Sequence, residues 1–269
     1  MNNHKILNKN FSNEKFYLLD LARTIAALSV VLQHYQHFYF VAENSYQPGF
    51  ERSLQPFYRI LEPLYSFGSV AVQFFFVLSG FIFFLIYKKA IYSKKINFKK
   101  FAILRISRLY PLHLLTLLIV ALLQWLHIYL NDEFFVHKSN DAKNFFLHLF
   151  LIQEWGFKTN WGFNAAAWSI SVEILLYITF FFVVKKTVNN IIQVFLILIG
   201  LFIVYIFIQP SITNLLVGFL CFYFGGLTFF IYKNLIIYFN KKIINKFIIL
   251  RSRRPRESLA SRPRNRRRL

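Results

Sequence analysis

The sequence predicts an all-α protein, a polytopic transmembrane bundle of about seven to eight membrane segments. Hydrophobic residues make up 57% of its 269 residues, and its mean hydropathy is +0.45. Soluble domains hold only about 45–50% apolar residues, so a single soluble core cannot bury this excess. The apolar residues also fall into separate runs, several of them near the roughly 20 residues that cross a bilayer as a helix. Membrane lipid is therefore the first expected partner.

The net charge of +21 does not indicate a nucleic-acid partner, because the lysines occupy short clusters between the apolar runs. That pattern is typical of cytoplasmic loops, since Lys and Arg resist translocation. The clusters are Lys88-Lys89, Lys94-Lys95, Lys99-Lys100, Lys185-Lys186 and Lys241-Lys242. The sole cysteine, Cys221, allows no disulfide framework and no Cys-based metal site, so we expect no bound metal.

Three membrane helices are expected in the first half of the chain, at about 16–40, 67–87 and 109–130. The third is expected to open at Pro111, a residue that the first helical turn tolerates. The segment 88–108 before it is basic and is expected to be a cytoplasmic loop, on the same side as the N-terminus.

The second half is expected to contribute spans at about 165–184, 191–208 and 212–232. Residues 144–155 are apolar but too short to cross comfortably, so a short re-entrant or interfacial helix is expected there. This segment must not cross if the lysines that follow residue 184 are also to be cytoplasmic. Residues 234–250 are interrupted by lysines and predict a weak span or a surface amphipathic helix.

The expected domain organisation is one membrane domain, 1–250, followed by a basic tail, 251–269. The tail holds nine Arg and no Lys, whereas the preceding 250 residues hold five Arg and 18 Lys. Such a tail is expected to be disordered. A polybasic segment that binds anionic lipid fits it, and so does a frameshift artefact, which the abrupt change in basic residue favours.

Ionisable residues inside a span are costly and indicate function by default. Arg23 and His34 are 11 residues apart on the first helix, which places them about 20° apart around it and roughly 16 Å apart along it. We expect both to face the bundle interior and to take part in catalysis. A snorkelling arginine and a structurally bonded histidine remain the alternative.

Arg105 and Arg108 present two guanidinium forks at the cytoplasmic mouth of the third helix, an arrangement suited to phosphate. Ordinary positive flanking of a helix is the alternative. Glu173 lies within the span 165–184 and is expected at a depth similar to that of His34. A histidine beside a carboxylate is a plausible general base, although an ion pair that packs two helices would look the same.

Four polar residues are candidates for substrate binding. Trp168, Ser169 and Ser171 directly precede Glu173, and Ser79 lies beside a glycine in the second helix. The Ser79-Gly80 pair also predicts close approach of a neighbouring helix. The phosphate-binding loop, the dinucleotide fingerprint and the zinc-protease helix are absent from the sequence.

Four motifs carry the same residues in order over about 16–180. They are LLDLARTIAALSVVLQHY, QFFFVLSGFIFF, RISRLYPLHLL and NAAAWSISVEILLYI. Together they resemble the acyltransferase 3 family, the membrane O-acyltransferases of bacterial surface polysaccharides. The first two resemble its first and second helices. The others resemble its Arg-x-x-Arg entry into the third helix and its Trp-Ser-x-Ser-x-Glu helix.

The resemblance implies transfer of an acyl group, usually acetyl, from a cytoplasmic acyl-CoA to a sugar hydroxyl. The acceptor would be a lipid-linked or cell-surface polysaccharide, the acyl-CoA would be a donor substrate rather than a resident cofactor, and the enzyme would lie in the bacterial inner membrane. By the same resemblance Arg23 and His34 match the family's Arg-x10-His pair. Arg105 and Arg108 would bind CoA phosphates, and Glu173 matches the acidic residue.

The family core holds more helices than this chain offers, so we expect a bundle truncated at its C-terminus. An inactive, truncated membrane scaffold is therefore one alternative to the enzyme. A transporter or flippase of a small polar or lipid-linked substrate is the other, because charges within a membrane also mark substrate paths.

Overall fold

The structure, a computed structural model, describes residues 17–42, 45–157, 160–186, 190–207 and 212–252. The chain divides into two compact units, 1–229 and 230–269. The helices are α1 (Tyr17–His34), α2 (Tyr58–Ile86), α3 (Lys88–Tyr92), α4 (Phe98–Asn131), α5 (Ala142–Leu149), α6 (Trp168–Lys186), α7 (Ile191–Phe207) and α8 (Thr213–Ser252). The second unit contains the C-terminal part of α8. Beyond Ser252, the predicted tail lies outside the residues that the structure describes.

Four helical segments in the described part of the chain are long and apolar enough to cross a membrane. They are Tyr58–Ile86, Phe98–Asn131, Ala165–Lys186 and Thr213–Phe239. Helix α7 is apolar but has 17 residues, and α1 has 18 residues that include Asp20 and Arg23. The predicted membrane bundle of helices is therefore confirmed, whereas the predicted number of seven to eight membrane segments is not.

Helix α4 begins at Phe98, well before the predicted start at residue 109. The Asn97 side chain caps it by accepting a hydrogen bond from the backbone N–H of Lys100 at 2.9 Å. Most of the expected basic loop is thus helical, and Pro111 lies in the helix interior instead of opening it. A membrane helix tolerates an interior proline because neighbouring groups satisfy the carbonyl that it frees.

Two further boundaries differ from expectation. Helix α2 begins at Tyr58 and includes Pro63, so the second span is longer than predicted. A single helix, Thr213–Ser252, covers the range where two segments were expected. Between α1 and α2, a short antiparallel strand pair, β1 (Phe40–Ala42) and β2 (Ser45–Tyr46), interrupts the otherwise helical architecture.

Helices α2 and α6 run in the same direction through the bundle. The rings of Phe76 and Trp168 are 6.1 Å apart, and those of Phe84 and Phe180 are 5.2 Å apart, so residue numbers rise together along both helices. Helix α4 lies between them in sequence and runs in the opposite direction. The chain between α4 and α6 must therefore begin and end at the same end of the bundle.

The segment between α4 and α6 does begin and end at the same end of the bundle. Helix α5 has only eight residues. His113 of α4 lies 2.8 Å from the carbonyl oxygen of His148, and Asn164 donates to the Thr116 hydroxyl at 3.0 Å. Residues 144–155 therefore do not pass from one end of the bundle to the other, which is what the expected topology requires.

Aromatic rings join four helices at the centre of the first unit. Phe83 of α2 stacks on Tyr177 of α6, with ring centres 4.6 Å apart and planes 13° apart. Its ring also contacts Phe101 of α4, Phe180 of α6 and Phe222 of α8 at 5.4–6.0 Å. Contacts of this kind add to the stability from burial alone.

Helices α2 and α8 approach each other closely at two glycines. A side chain at Gly80 would collide with the carbonyl oxygen of Phe222, and a side chain at Gly225 would collide with that of Val77. The two contacts lie one turn apart on each helix and in reverse order, so the helices are antiparallel. The close approach predicted from Ser79 and Gly80 is confirmed.

Candidate active site

The imidazole of His34 is oriented by its own helix. Its Nδ1 lies 2.7 Å from the carbonyl oxygen of Val30, one turn earlier. A carbonyl oxygen can only accept a hydrogen bond, so Nδ1 carries the proton and Nε2 of the neutral ring keeps its lone pair. His34 is half-buried. It therefore presents a proton acceptor in a fixed tautomer, which is the state that a general base needs.

The ring of His37 lies beside that of His34, and the ring of His137 lies beside that of His37; neither was predicted to lie there. His37 meets His34 edge to face, with ring centres 5.2 Å apart, and the ring of His137 lies 6.4 Å from that of His37. Together His34, His37 and His137 form the histidine cluster. His37 follows His34 by one turn of 3-10 helix, whereas His137 comes from the loop after α4. Within the described part of the chain, no group of three or more His, Cys, Asp or Glu side chains could hold a metal.

Burial, with smaller contributions from His34 and His137, lowers the pKa of His37 from 6.5 to about 4. His37 is consequently uncharged near neutral pH. Above about pH 6.5 His37 is neutral in both the folded and the unfolded protein, and its ionisation does not affect stability. Between pH 6.5 and about 4 the unfolded chain binds a proton that the folded protein does not.

We therefore expect the thermal unfolding midpoint in detergent to fall as the pH is lowered from about 6.5 towards 4. The variant His37→Phe keeps an aromatic ring but cannot ionise, so its midpoint should fall less over the same range. Melting curves of the two proteins at half-unit pH steps measure the difference. An equally steep fall in both would show that His37 is not the responsible group.

Glu173 forms a second polar centre, on α6. Its Oε1 accepts hydrogen bonds from the hydroxyl of Tyr177, one turn later on the same helix, and from Ser79 Oγ of α2 at 3.4 Å. Tyr177 is buried. The carboxylate is thus held at the contact between two parallel membrane helices.

Arg105 of α4 completes this centre. Its Nη2 donates to the Tyr87 hydroxyl, and its guanidinium carbon lies 4.5 Å from the centre of the Tyr87 ring and 5.1 Å from that of Phe83. It also interacts electrostatically with Tyr177 and Glu173. Its Nε is buried and has no hydrogen-bond partner among the described residues. A buried, charged donor without a partner is suited to an oxygen atom of a ligand.

Arg108 lies one turn beyond Arg105 on α4 and is exposed. Electrostatic interactions link it to both Arg105 and Glu173. The two guanidinium groups therefore share one region, as the spacing predicts. We call Arg105, Arg108, Glu173 and Tyr177 the arginine centre.

The predicted pairing of His34 with Glu173 is wrong. Gln33, the neighbour of His34, packs against Gly68 of α2, whereas Glu173 bonds to Ser79 of the same helix. Gly68 and Ser79 are 11 residues apart on α2, which is roughly 16 Å along the helix. The depths of His34 and Glu173 match only if the outer ends of α1 and α6 lie at the same level. Helix α6 begins much deeper in the bundle than α1 ends.

Arg23 does not enter the bundle interior as predicted. Its guanidinium forms an ion pair with Asp20 at 2.9 Å, three residues earlier on α1, and its side chain is 40% exposed. A local partner of opposite charge removes the need for an interior one. A role for Arg23 in catalysis stays a prediction.

Ser171 has a structural role instead of the predicted substrate contact. It is fully buried, and its Oγ accepts a hydrogen bond from the backbone N–H of Glu154 at 3.1 Å. Its carbonyl oxygen accepts a second from Trp155 Nε1, also at 3.1 Å. These bonds hold the turn Gln153–Phe157 against α6, and the Oγ atom is not open to a substrate.

Trp168 and Ser169 lie one residue apart at the start of α6. The Trp168 ring packs edge to face against Phe76, which anchors the helix to α2. Ser169 is half-buried. Substrate contacts by these two side chains stay predictions.

Comparison with known proteins bears on the nature of this site. The model of an acyltransferase domain family matches residues 16–250, which include every candidate site residue described above. Neither the curated proteins nor the solved structures give a match. A match over most of the chain, together with the membrane-spanning helices, shows that the protein is a member of the acyltransferase 3 family of membrane acyltransferases.

Proposed function

We propose that the protein transfers an acyl group, acetyl in the simplest case, from acyl-CoA to a sugar hydroxyl of a lipid-linked or cell-surface polysaccharide. Membership in the family supports acyl transfer. The observation that carries the proposal is the fixed tautomer of His34, whose Nε2 lone pair is available to an acceptor hydroxyl.

The arginine centre is the proposed donor site. Two guanidinium groups one helical turn apart match the phosphates of a coenzyme A donor, and the unpartnered Nε of Arg105 offers one more donor. Lysine clusters follow α2 and open α4 at the same end of the bundle, which favours a cytoplasmic position for this end. The proposed orientation puts the N-terminus in the cytoplasm of a bacterium and the chain in its inner membrane.

The two centres are far apart along α2. From Gly68, level with Gln33, to Tyr87, bonded to Arg105, the chain advances 19 residues, roughly 28 Å. A donor bound at both centres must be long and thin, with its phosphates at one end and its reactive thioester at the other. Acyl-CoA has that form.

Direct transfer is the proposed chemistry. Nε2 of His34 takes the proton of the acceptor hydroxyl while the hydroxyl oxygen attacks the thioester carbonyl carbon. The carbon–sulfur bond then breaks, the acyl group remains on the sugar oxygen as an ester, and the thiolate of CoA leaves. The protonated His34 releases its proton to the thiolate or to water and returns to the neutral state. Glu173 acts as a positioning residue, because it holds Tyr177 and balances the charge of Arg105.

The test supplies acetyl-CoA carrying a radioactive acetyl group to bacterial membranes that contain the protein and a lipid-linked glycan. Label should enter the glycan as an ester that mild alkali removes. Membranes that lack the protein, and the same membranes given radioactive acetate, are the controls. Label that stays in acetyl-CoA although glycan is present would contradict the proposal.

A further inference from the structure

A small polar pocket lies at the end of α1, beside α2. Its volume is about 90 Å³. Three of its lining side chains are amides and three carry hydroxyls: Gln33, Gln36, Gln55, Tyr65, Ser66 and Ser69. Arg52, exposed at the surface, also lines it. No carboxylate is among the residues that line it, so the pocket offers nothing that would favour a cationic ligand.

Gln55 brings an unsatisfied polar group to the pocket wall. The residue is only 5% exposed, yet its Oε1 has no hydrogen-bond partner among the described residues. Buried polar atoms in folded proteins are nearly always paired. The surrounding chain is fixed, since Tyr65 donates to the carbonyl oxygen of Pro56 at 3.2 Å and the backbone N–H of Tyr58 bonds to Gln55 itself. Gln55 cannot easily turn away to find another partner.

Two residues that line the pocket are close to the candidate general base in sequence. Gln33 directly precedes His34, and Gln36 follows it by two residues, so both amides flank the imidazole along the chain. Gln36 is itself held in place, because its Oε1 accepts a hydrogen bond from the Tyr46 hydroxyl at 2.8 Å. Gln33 and Gln36 share a face that is turned roughly 100° or more from His34, and His34 does not line the pocket. A molecule seated against these amides would therefore lie at the depth of His34 without touching its imidazole.

Amide and hydroxyl groups each combine donors and acceptors, as do the hydroxyls of a sugar. A volume of 90 Å³ is enough for several water molecules. That space fits the hydroxyl edge of one sugar ring and leaves the rest of a chain outside. Arg52 stands where it could donate to a ring oxygen or to an acidic substituent.

We infer that this pocket is an acceptor subsite, which binds the hydroxyl edge of one hexose unit and so holds the glycan at the depth of His34. The inference rests on the proposed function for the identity of the reaction. Glycan binding can nevertheless be measured without any reaction, so the two claims can fail separately.

The test measures the affinity of the purified protein for an oligosaccharide released from deacylated bacterial surface glycan. Gln55→Leu removes the unpaired acceptor at nearly constant size and should weaken oligosaccharide binding at least ten-fold. Ser69→Ala, a milder change at an exposed position, should weaken it two- to five-fold. Gln47→Leu changes an exposed glutamine in the same loop, outside the pocket, and should bind as the wild type does.

Acetyl-CoA affinity and the thermal unfolding midpoint are measured on the same proteins. Both should stay within two-fold and within 2 °C or so of the wild type, because the pocket is remote from the arginine centre. Unchanged oligosaccharide affinity in both Gln55→Leu and Ser69→Ala would overturn the inference. Equal losses of oligosaccharide and acetyl-CoA affinity would also overturn it. Selective loss of oligosaccharide binding in a protein that transfers no acetyl group would support the pocket and refute the proposed function.

Discussion

Replacing His34 with Gln should reduce acyl transfer by about 10²–10⁴-fold, the usual contribution of a positioned general base. Glutamine can still hydrogen-bond to the backbone and fills similar space, but its amide cannot take the proton of an acceptor hydroxyl. The loss should appear mainly in kcat, since donor binding is remote from α1. The rate at which radioactive acetyl enters glycan measures it.

The matched control is His127→Gln. His127 is a half-buried histidine of α4 whose Nδ1 lies 2.8 Å from the carbonyl oxygen of Glu133, outside the histidine cluster. The His127→Gln variant should transfer acetyl at the wild-type rate. Normal labelling by His34→Gln would remove His34 from the mechanism.

The same assay without acceptor separates direct transfer from a covalent route. Direct transfer leaves no label on the protein. Labelled acyl-protein that accumulates before acceptor is added, on His34 or on Ser79, would overturn direct attack and favour a two-step reaction.

Replacing Arg105 with Gln should both destabilise the protein and abolish donor binding. The substitution leaves Glu173 inside a membrane helix without the positive charge that faces it through Tyr177. Arg105 and Glu173 do not form a direct ion pair among the described residues, and Arg108 still interacts with Glu173. The cost should therefore stay below the roughly 3–5 kcal/mol of breaking a direct buried ion pair. Loss of the contacts with the Tyr87 and Phe83 rings adds to the effect.

The double variant Arg105→Gln with Glu173→Gln distinguishes the two losses. Neutralising both groups should restore most of the unfolding free energy, because no unpaired charge remains. Acetyl-CoA affinity should stay at the level of the single variant. Lys99→Gln removes an exposed positive charge from the same helix and is the control. A double variant as unstable as Arg105→Gln alone would show that the two charges are not coupled.

The apolar runs were sufficient to predict a membrane bundle, but not where its helices begin. Arg105 and Arg108 are expected at the cytoplasmic mouth of the third helix, at the end of a basic loop. Helix α4 nevertheless starts at Phe98, where Asn97 caps it, and its first turns tolerate basic residues. Pro111 was expected to open this helix and lies in its interior, since proline is only a local signal.

The site shows a similar division between local and tertiary information. The approach of Arg105 to Arg108 follows from their spacing, and Tyr177 could have been found as the i+4 neighbour of Glu173. The partner of Glu173 depends on how deep α6 sits beside α2, which no single helix encodes. His137 reaches the histidine cluster from a loop distant in sequence, and no pattern within α1 indicates it.

The glycine contacts between α2 and α8 restrict how the bundle can move. At Gly80 and Gly225 main chain meets main chain, with no side chain between that could change rotamer to absorb a shift. Because there are two such points one turn apart, α2 and α8 should neither slide nor roll against each other without a backbone clash. We therefore expect any movement that admits a donor or an acceptor to separate other helices and to leave the contact between α2 and α8 unchanged.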